Sequence, residues 1–273
     1  MKTVDAINGI DMHYARTTDH PYGSKGVKTK FKVDDDFLKK LKVAFREVFN
    51  HCPLGKPECI ATAGIFVNKP GQHGVGKAFD LDAIFWKDHT LITLDFVHQK
   101  ALYLGVESFL RKHFGIVLNH FYDNHEDHWH IGTSTNVDYH EAAQSETFYL
   151  QMALKYIYDK PIIIDGVSGP QTRSFTKNVF NRLNIKTPIT TKVNYLEFLD
   201  ITGKIAFKLS EEKVSPLVLI ENLESVIENL PTANKHKVSE ALNTFLIHND
   251  TSNWLSSVST EHDLDAVIDS VII

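Results

Sequence analysis

The strongest constraint on how this chain can fold is the run Ala78–Phe85, AFDLDAIF, where residue character alternates position by position. A strand sends successive side chains to opposite faces, so Ala78, Asp80, Asp82 and Ile84 are expected on one side and Phe79, Leu81, Ala83 and Phe85 on the other. The second set is wholly apolar, which predicts a half-buried strand. His128–Gly132, HWHIG, repeats the pattern, with His128, His130 and Gly132 on one face and Trp129 and Ile131 on the other. The expected product is a sheet with one face on the core and one face rich in imidazole and carboxylate.

Helical periodicity surrounds these strands. Val33–Phe49 places Phe37, Leu41, Phe45, Val48 and Phe49 near one face behind acids at its start, as in an amphipathic helix. A second helical stretch is expected over roughly 95–113, followed by IVLNHFY as another strand. Helix, strand, helix and strands define an α+β class for the first half of the chain. From about Ser145 the texture becomes helix, turn, helix. Phe148, Met152 and Tyr156, with Leu150, Leu154 and Ile157 on an adjoining row, precede the breaker DGVSGP, where Gly166 and Gly169 allow positive φ. Pro170 suits a first helical turn, and Phe175, Val179, Phe180 and Leu183 form the next apolar face. The expected organisation is an α+β unit over 1–143, a small all-α module over 145–186, and a mostly helical region over 187–273. That last region holds six Lys against thirteen Asp and Glu.

Composition excludes several functions. With 273 residues, 42% of them apolar, the chain can bury a substantial core. A net charge of −5 without a long basic run argues against nucleic acid as a partner, and no window approaches the apolar length of a membrane helix. The first twenty residues lack an apolar core segment, so the expectation is synthesis in the cytoplasm without a signal peptide. Cys52 and Cys59 exclude a disulfide framework; one bridge or two free thiols remain open, and free thiols are expected. Their spacing with His51 matches no zinc knuckle. Trp86 and Trp129 are expected in the core, and Trp254 sits in the acidic tail, a solvated bundle or a partner surface.

The chemistry gathers in two places. His73 stands seven residues before Asp80, and four of the fifteen histidines, His120, His125, His128 and His130, fall within eleven positions. Zinc in hydrolases takes three protein ligands and leaves a position for water, and imidazole with carboxylate is a suitable set. His73, Asp80 and His130 supply it. His125, Asp127 and His128 are then available for proton transfer. The plainer alternative is a polar edge strand with Asp82 and Asp127 merely solvated.

His-x-x-Gly-x-x-x-Asp, here His73-Gly76-Asp80, followed by His-x-x-His-x-His, here His125-His128-His130, resembles the zinc D-Ala-D-Ala carboxypeptidases and penicillin-insensitive murein endopeptidases. Hedgehog signalling domains share that zinc fold. The resemblance covers roughly residues 30–140 and implies an α+β zinc peptidase catalytic domain with Zn2+ on His73, Asp80 and His130. His128 and His125 would line the site, and Asp127, three residues before His130, would be the base in the branch marked by acid-x-x-His. Two assignments of the base therefore compete. Relatives often carry a Tyr-Arg pair upstream for the oxyanion, whereas this chain reads AGIFVNKPGQHG, leaving Lys69 or Asn68 as substitutes. Asp82 would orient a ligand or lie exposed.

Leu150–Leu154, LQMAL, and Asp165–Thr172, DGVSGPQT, resemble the small helical peptidoglycan-binding module, with Val179-Phe180-Asn181 departing from its usual aromatic end. Together the two resemblances imply a peptidoglycan peptidase acting on the cell wall after release or secretion, as an endolysin or an antibacterial effector. Region 187–273 would then contact the wall or a delivery or immunity protein. The alternative is a non-catalytic wall-binding or phage structural protein that retains a zinc site.

Overall fold

The computed structural model describes residues 1–214; the remainder of the expected 187–273 region, Trp254 included, lies outside them. Mixed α and β structure, compatible with the expected α+β class, is built on one long sheet. Strands β1 (Lys2–Val4), β2 (Ala6–Ile7), β3 (Ile10–Tyr14), β4 (Val27–Lys28) and β5 (Phe31–Val33) precede helix α1 (Asp35–His51). Then follow β6 (Cys59–Gly64), β7 (Ala78–Phe85), β8 (Thr90–Ile92), α2 (Lys100–Arg111), β9 (Ile116–Leu118) and β10 (Trp129–Gly132). Helices α3 (Gln144–Tyr156), α4 (Pro170–Arg182) and α5 (Lys192–Val214) complete the described chain. The sheet runs β2-β3-β6-β7-β10-β9, with β4 beside β3 and β8 beside β7; β1 pairs separately with β5. Among the described strands only β3 and β6 pair in parallel.

Helix α1 begins where a side chain can satisfy its first N–H groups. Asp34 accepts from the N–H groups of Asp36 and Phe37, and Asp35 and Asp36 in the first turn of α1 complement the helix dipole. The helical stretch expected over 95–113 divides in two: a 3-10 segment, Thr93–His98, precedes α2. Pro170 opens α4 as expected.

The alternation read along β7 breaks at Asp82. Ala61 pairs with Ala83 and Thr62 with Leu81, so Asp82 is an extra residue facing no partner on β6, a bulge in the ladder. Beyond it the faces exchange. Ile84 joins Phe79 and Leu81 in the main core, while Ala83 and Phe85 pack on the opposite face with Ala15, Cys59 and Ala61. The expectation that Ile84 shares a side with Asp80 is corrected by this bulge.

One hydrophobic cluster extends from Ile7 in β2 through Trp86 and Trp129 to Leu209 in α5. Helix α5 lies against α2 where Gly105 and Gly203 let the backbones approach; a Cβ on Gly203 would come within 2.8 Å of Phe109, and one on Gly105 would run into Phe207. The Phe109 and Phe207 rings stack there at 5.6 Å. Cys52 and Cys59 are buried free thiols, and burial pushes Cys52 up to about 12. No helix among the described residues is long and apolar enough to cross a membrane.

Candidate metal centre

His73 enters the site from a short 3-10 turn, His73–Val75, that Gly76 ends in the left-handed region at φ 69°, donating its N–H to the His73 carbonyl. A Cβ at Gly76 would also press on the Asp34 backbone at 3.0 Å. The glycine of the His-x-x-Gly motif is thus a hinge that turns the chain from His73 into β7. Asp80 lies on β7 directly opposite His130 on β10 in the antiparallel register. Their side chains share a face because directly paired residues project to the same side.

Three ligand-type side chains converge. His73 Nε2 stands 3.1 Å from Asp80 Oδ2 and 3.2 Å from His130 Nδ1, and His130 Nδ1 stands 2.8 Å from Asp80 Oδ1. A tetrahedral ion with ~2.0 Å bonds separates its ligands by ~3.3 Å, close to these three edges. Two ring nitrogens and a carboxylate at such spacing repel unless a proton or a cation lies among them. His73 Nδ1 donates to the Ile65 carbonyl at 2.8 Å, which leaves Nε2 as the lone pair aimed inward, the usual support of a ligating imidazole. The residues therefore fit a metal ion. Burial alone would raise Asp80, yet the hydrogen bond from His130 and the neighbouring His73 imidazole hold it well below the usual carboxylate range.

His125, His128 and His130 form a second metal-capable group that shares His130 with the first, so both describe one centre. His125 donates Nδ1–H to the Asp123 carbonyl and packs its ring on His128 at 5.0 Å; burial pushes its imidazolium pKa down. His128 donates Nδ1–H to Asp127 Oδ1 at 2.7 Å, and its Nε2 lies 3.7 Å from Asp80 Oδ1. Because β10 begins only at Trp129, Asp127 sits in a turn and is free to face the polar side, which strict alternation would have denied it.

Sequence reasoning missed Arg16. It follows Ala15, which is packed on the site face of the sheet, and its guanidinium grips Asp82 through Nε at 2.9 Å and Nη2 at 3.0 Å. Nη1 reaches Asp127 Oδ2 at 2.9 Å. Asp82 is 1% exposed, so of its two expected states the exposed one is ruled out; burial pushes its carboxyl up to about 6 against the opposing pull of Arg16. Hydrogen bonds from His128 and Arg16 hold Asp127 down despite its partial burial. Asn68 and Lys69 are exposed, and the guanidinium that reaches the cluster is Arg16's. Partners 66 and 111 residues away give a one-dimensional reading no signal for this contact.

Gln151 accounts for the second motif physically. Its Nε2 donates to Asp165 Oδ1, the Val167 carbonyl and Thr172 Oγ1, and its Oε1 accepts from the N–H groups of Asp165 and Gly166. The Leu-Gln and Asp-Gly elements therefore pin the α3–α4 loop. Gly166 takes φ 70°, whereas Gly169, expected to share that freedom, has φ −82° and caps α4.

The fold and the His/Asp cluster together define a sheet protein with a metal-capable centre. No family model, curated protein or solved structure matches this chain.

Proposed function

We propose that the chain is a zinc-dependent peptidase that cleaves an amide bond of peptidoglycan, in the stem peptide or its cross-link. The observation that carries this reading is the triangle His73, Asp80 and His130 with a carboxylate-held imidazole, His128, beside it. A purely structural zinc site takes a fourth protein ligand; here the next imidazole, His128, keeps Nε2 beside the triangle, 3.7 Å from Asp80 Oδ1, and is assigned to proton transfer. Bound zinc supplies a Lewis acid that polarises the amide carbonyl and makes water a nucleophile near neutrality.

The chain's own groups supply the rest. Asp127 Oδ1 keeps the His128 proton on Nδ1, so Nε2 is the lone pair that accepts a proton and later gives it to the leaving amine. Both Asp127 oxygens are engaged, by His128 and by Arg16, which favours an orienting role for Asp127 over that of the base. The His125 ring lies 5.0 Å from that of His128 and 5.7 Å from that of His130. The wall as substrate rests on the resemblances carried by His73-Gly76-Asp80, His125-His128-His130 and the Gln151 loop. Such an enzyme acts after release through a membrane lesion or after secretion toward a rival cell.

The test pairs metal analysis with digestion of purified sacculi. About one zinc per chain is expected in the wild type and little in His73→Ala, Asp80→Ala or His130→Ala; undiminished zinc in all three sinks the ligand set. Zinc-loaded wild type should release muropeptides whose masses identify the cleaved bond. Loaded protein that releases none leaves a non-catalytic wall protein with a zinc site.

A further inference from the structure

Arg16 lies outside both motifs, and its environment is built. The guanidinium lies over the Tyr22 ring, 5.2 Å from its centroid. Tyr22 is itself fixed: its hydroxyl accepts the Leu94 N–H at 3.1 Å and donates to Thr93 Oγ1 at 3.0 Å, since the Thr93 hydroxyl gives its own hydrogen to the Asp82 carbonyl at 2.8 Å. Ring, hydroxyls and bulge carbonyl close a loop around one cation. Arg16 spends Nε and Nη2 on Asp82 at the floor of the cluster and Nη1 on Asp127 at its rim.

These two carboxylates make different demands. Asp82 is almost wholly buried in the bulge and takes a counter-charge for its own stability. Asp127 is 35% exposed in a turn, where water would solvate it in any rotamer. A half-exposed carboxylate held to one guanidinium nitrogen is oriented, and its other oxygen then meets the His128 Nδ1–H. The rigid fork of an arginine can span both acids at once; the single ammonium of a lysine cannot reproduce three donors in that plane.

We propose that Arg16 is the positioning residue of the site: anchored on Asp82, it fixes Asp127 so that His128 presents Nε2 toward the metal-capable triangle. The assignment of Nε2 as proton acceptor rests on the peptidase reading above, but the orientation of His128 does not depend on it. The N-terminal strands are then part of the site, because Arg16 lies two residues beyond the end of β3.

The experiment uses the full chain in two forms. In metal-free protein at one fixed pH, long-range 15N–1H correlation spectra read the His128 tautomer. Wild type should carry the proton on Nδ1, and folded Arg16→Ala and Arg16→Lys should show a mixture, with added guanidinium ion restoring the Nδ1 form in Arg16→Ala. In zinc-loaded protein, both variants should keep the wild-type metal content and KM for sacculi while kcat falls by about 10–100-fold, the range for a group that orients a site residue from outside the ligand set. An unchanged tautomer in either folded variant overturns the proposal whatever the rates. If Arg16→Ala does not fold, Arg16→Lys, which keeps a charge for Asp82, decides alone. Wild type that releases no muropeptide fails the peptidase reading, and the spectra still judge Arg16.

Discussion

Replacing Glu107 by Gln probes how β10 is held from beneath. Glu107 on α2 is 0% exposed, and its carboxylate takes three donors: Arg111 Nε and Asn119 Nδ2 on Oε1, each at 2.8 Å, and Trp129 Nε1 on Oε2 at 3.2 Å. Gln keeps the shape but offers one acceptor oxygen and an NH2 group. Turned one way, the NH2 meets the Trp129 N–H; turned the other, it meets Arg111 and Asn119. The substitution also strips the carboxylate from Arg111, itself 2% exposed, leaving it the carbonyls of Val117 and Ser145 and the Ser145 hydroxyl. Removing one partner of a buried ion pair costs about 3–5 kcal/mol, and the donor clash draws on the same desolvation, so we expect about 3–5 kcal/mol in total. Urea unfolding followed by circular dichroism measures it, provided the slope against urea is unchanged. A loss under about 1 kcal/mol would falsify the reasoning, because it would mean that the buried pair is satisfied elsewhere. The double variant Glu107→Leu/Arg111→Met should recover much of the stability, since it leaves no orphaned charge.

Three further outcomes are expected. Gln151→Ala removes the bonds that Gln151 makes to the α3–α4 loop and should cost about 2 kcal/mol, with faster amide exchange at Asp165 and Gly166; unchanged exchange there would contradict the pinning role. Glu47 and Asp200 titrate below the ordinary carboxylate range because, against burial, Lys112 favours the charged form of both, joined by His113 at Glu47 and Lys204 at Asp200. Their stabilisation is full above the unfolded pKa of about 4 and is lost as pH falls through the lower folded values, so Glu47→Gln/Asp200→Asn should flatten the acid side of the stability profile; parallel profiles would refute this. Gly105→Val drives a side chain into Phe207 and should lower stability by about 2 kcal/mol in thermal unfolding, whereas an unaltered midpoint would show that α5 can shift away from α2.

Local order was legible along the chain because it depends on neighbours. Acids before an apolar face gave α1, the glycine–proline breaker gave the α3–α4 turn, and the spacing of His73, Gly76 and Asp80 encodes a turn leading into a strand. Alternation also placed His130 and Asp80 on polar faces, and antiparallel pairing set them opposite each other. What the tertiary structure alone decided are the contacts that periodicity cannot express. The bulge at Asp82 exchanges the faces of β7 because an extra residue breaks a rule of period two, and only the partner strand β6 reveals it. The late start of β10 turns Asp127 toward the site. Arg16 meets its two carboxylates because the parallel pairing of β3 with β6 carries the N-terminal segment to the sheet face where the metal-capable residues lie, and the pairing of distant strands is a property of the folded chain.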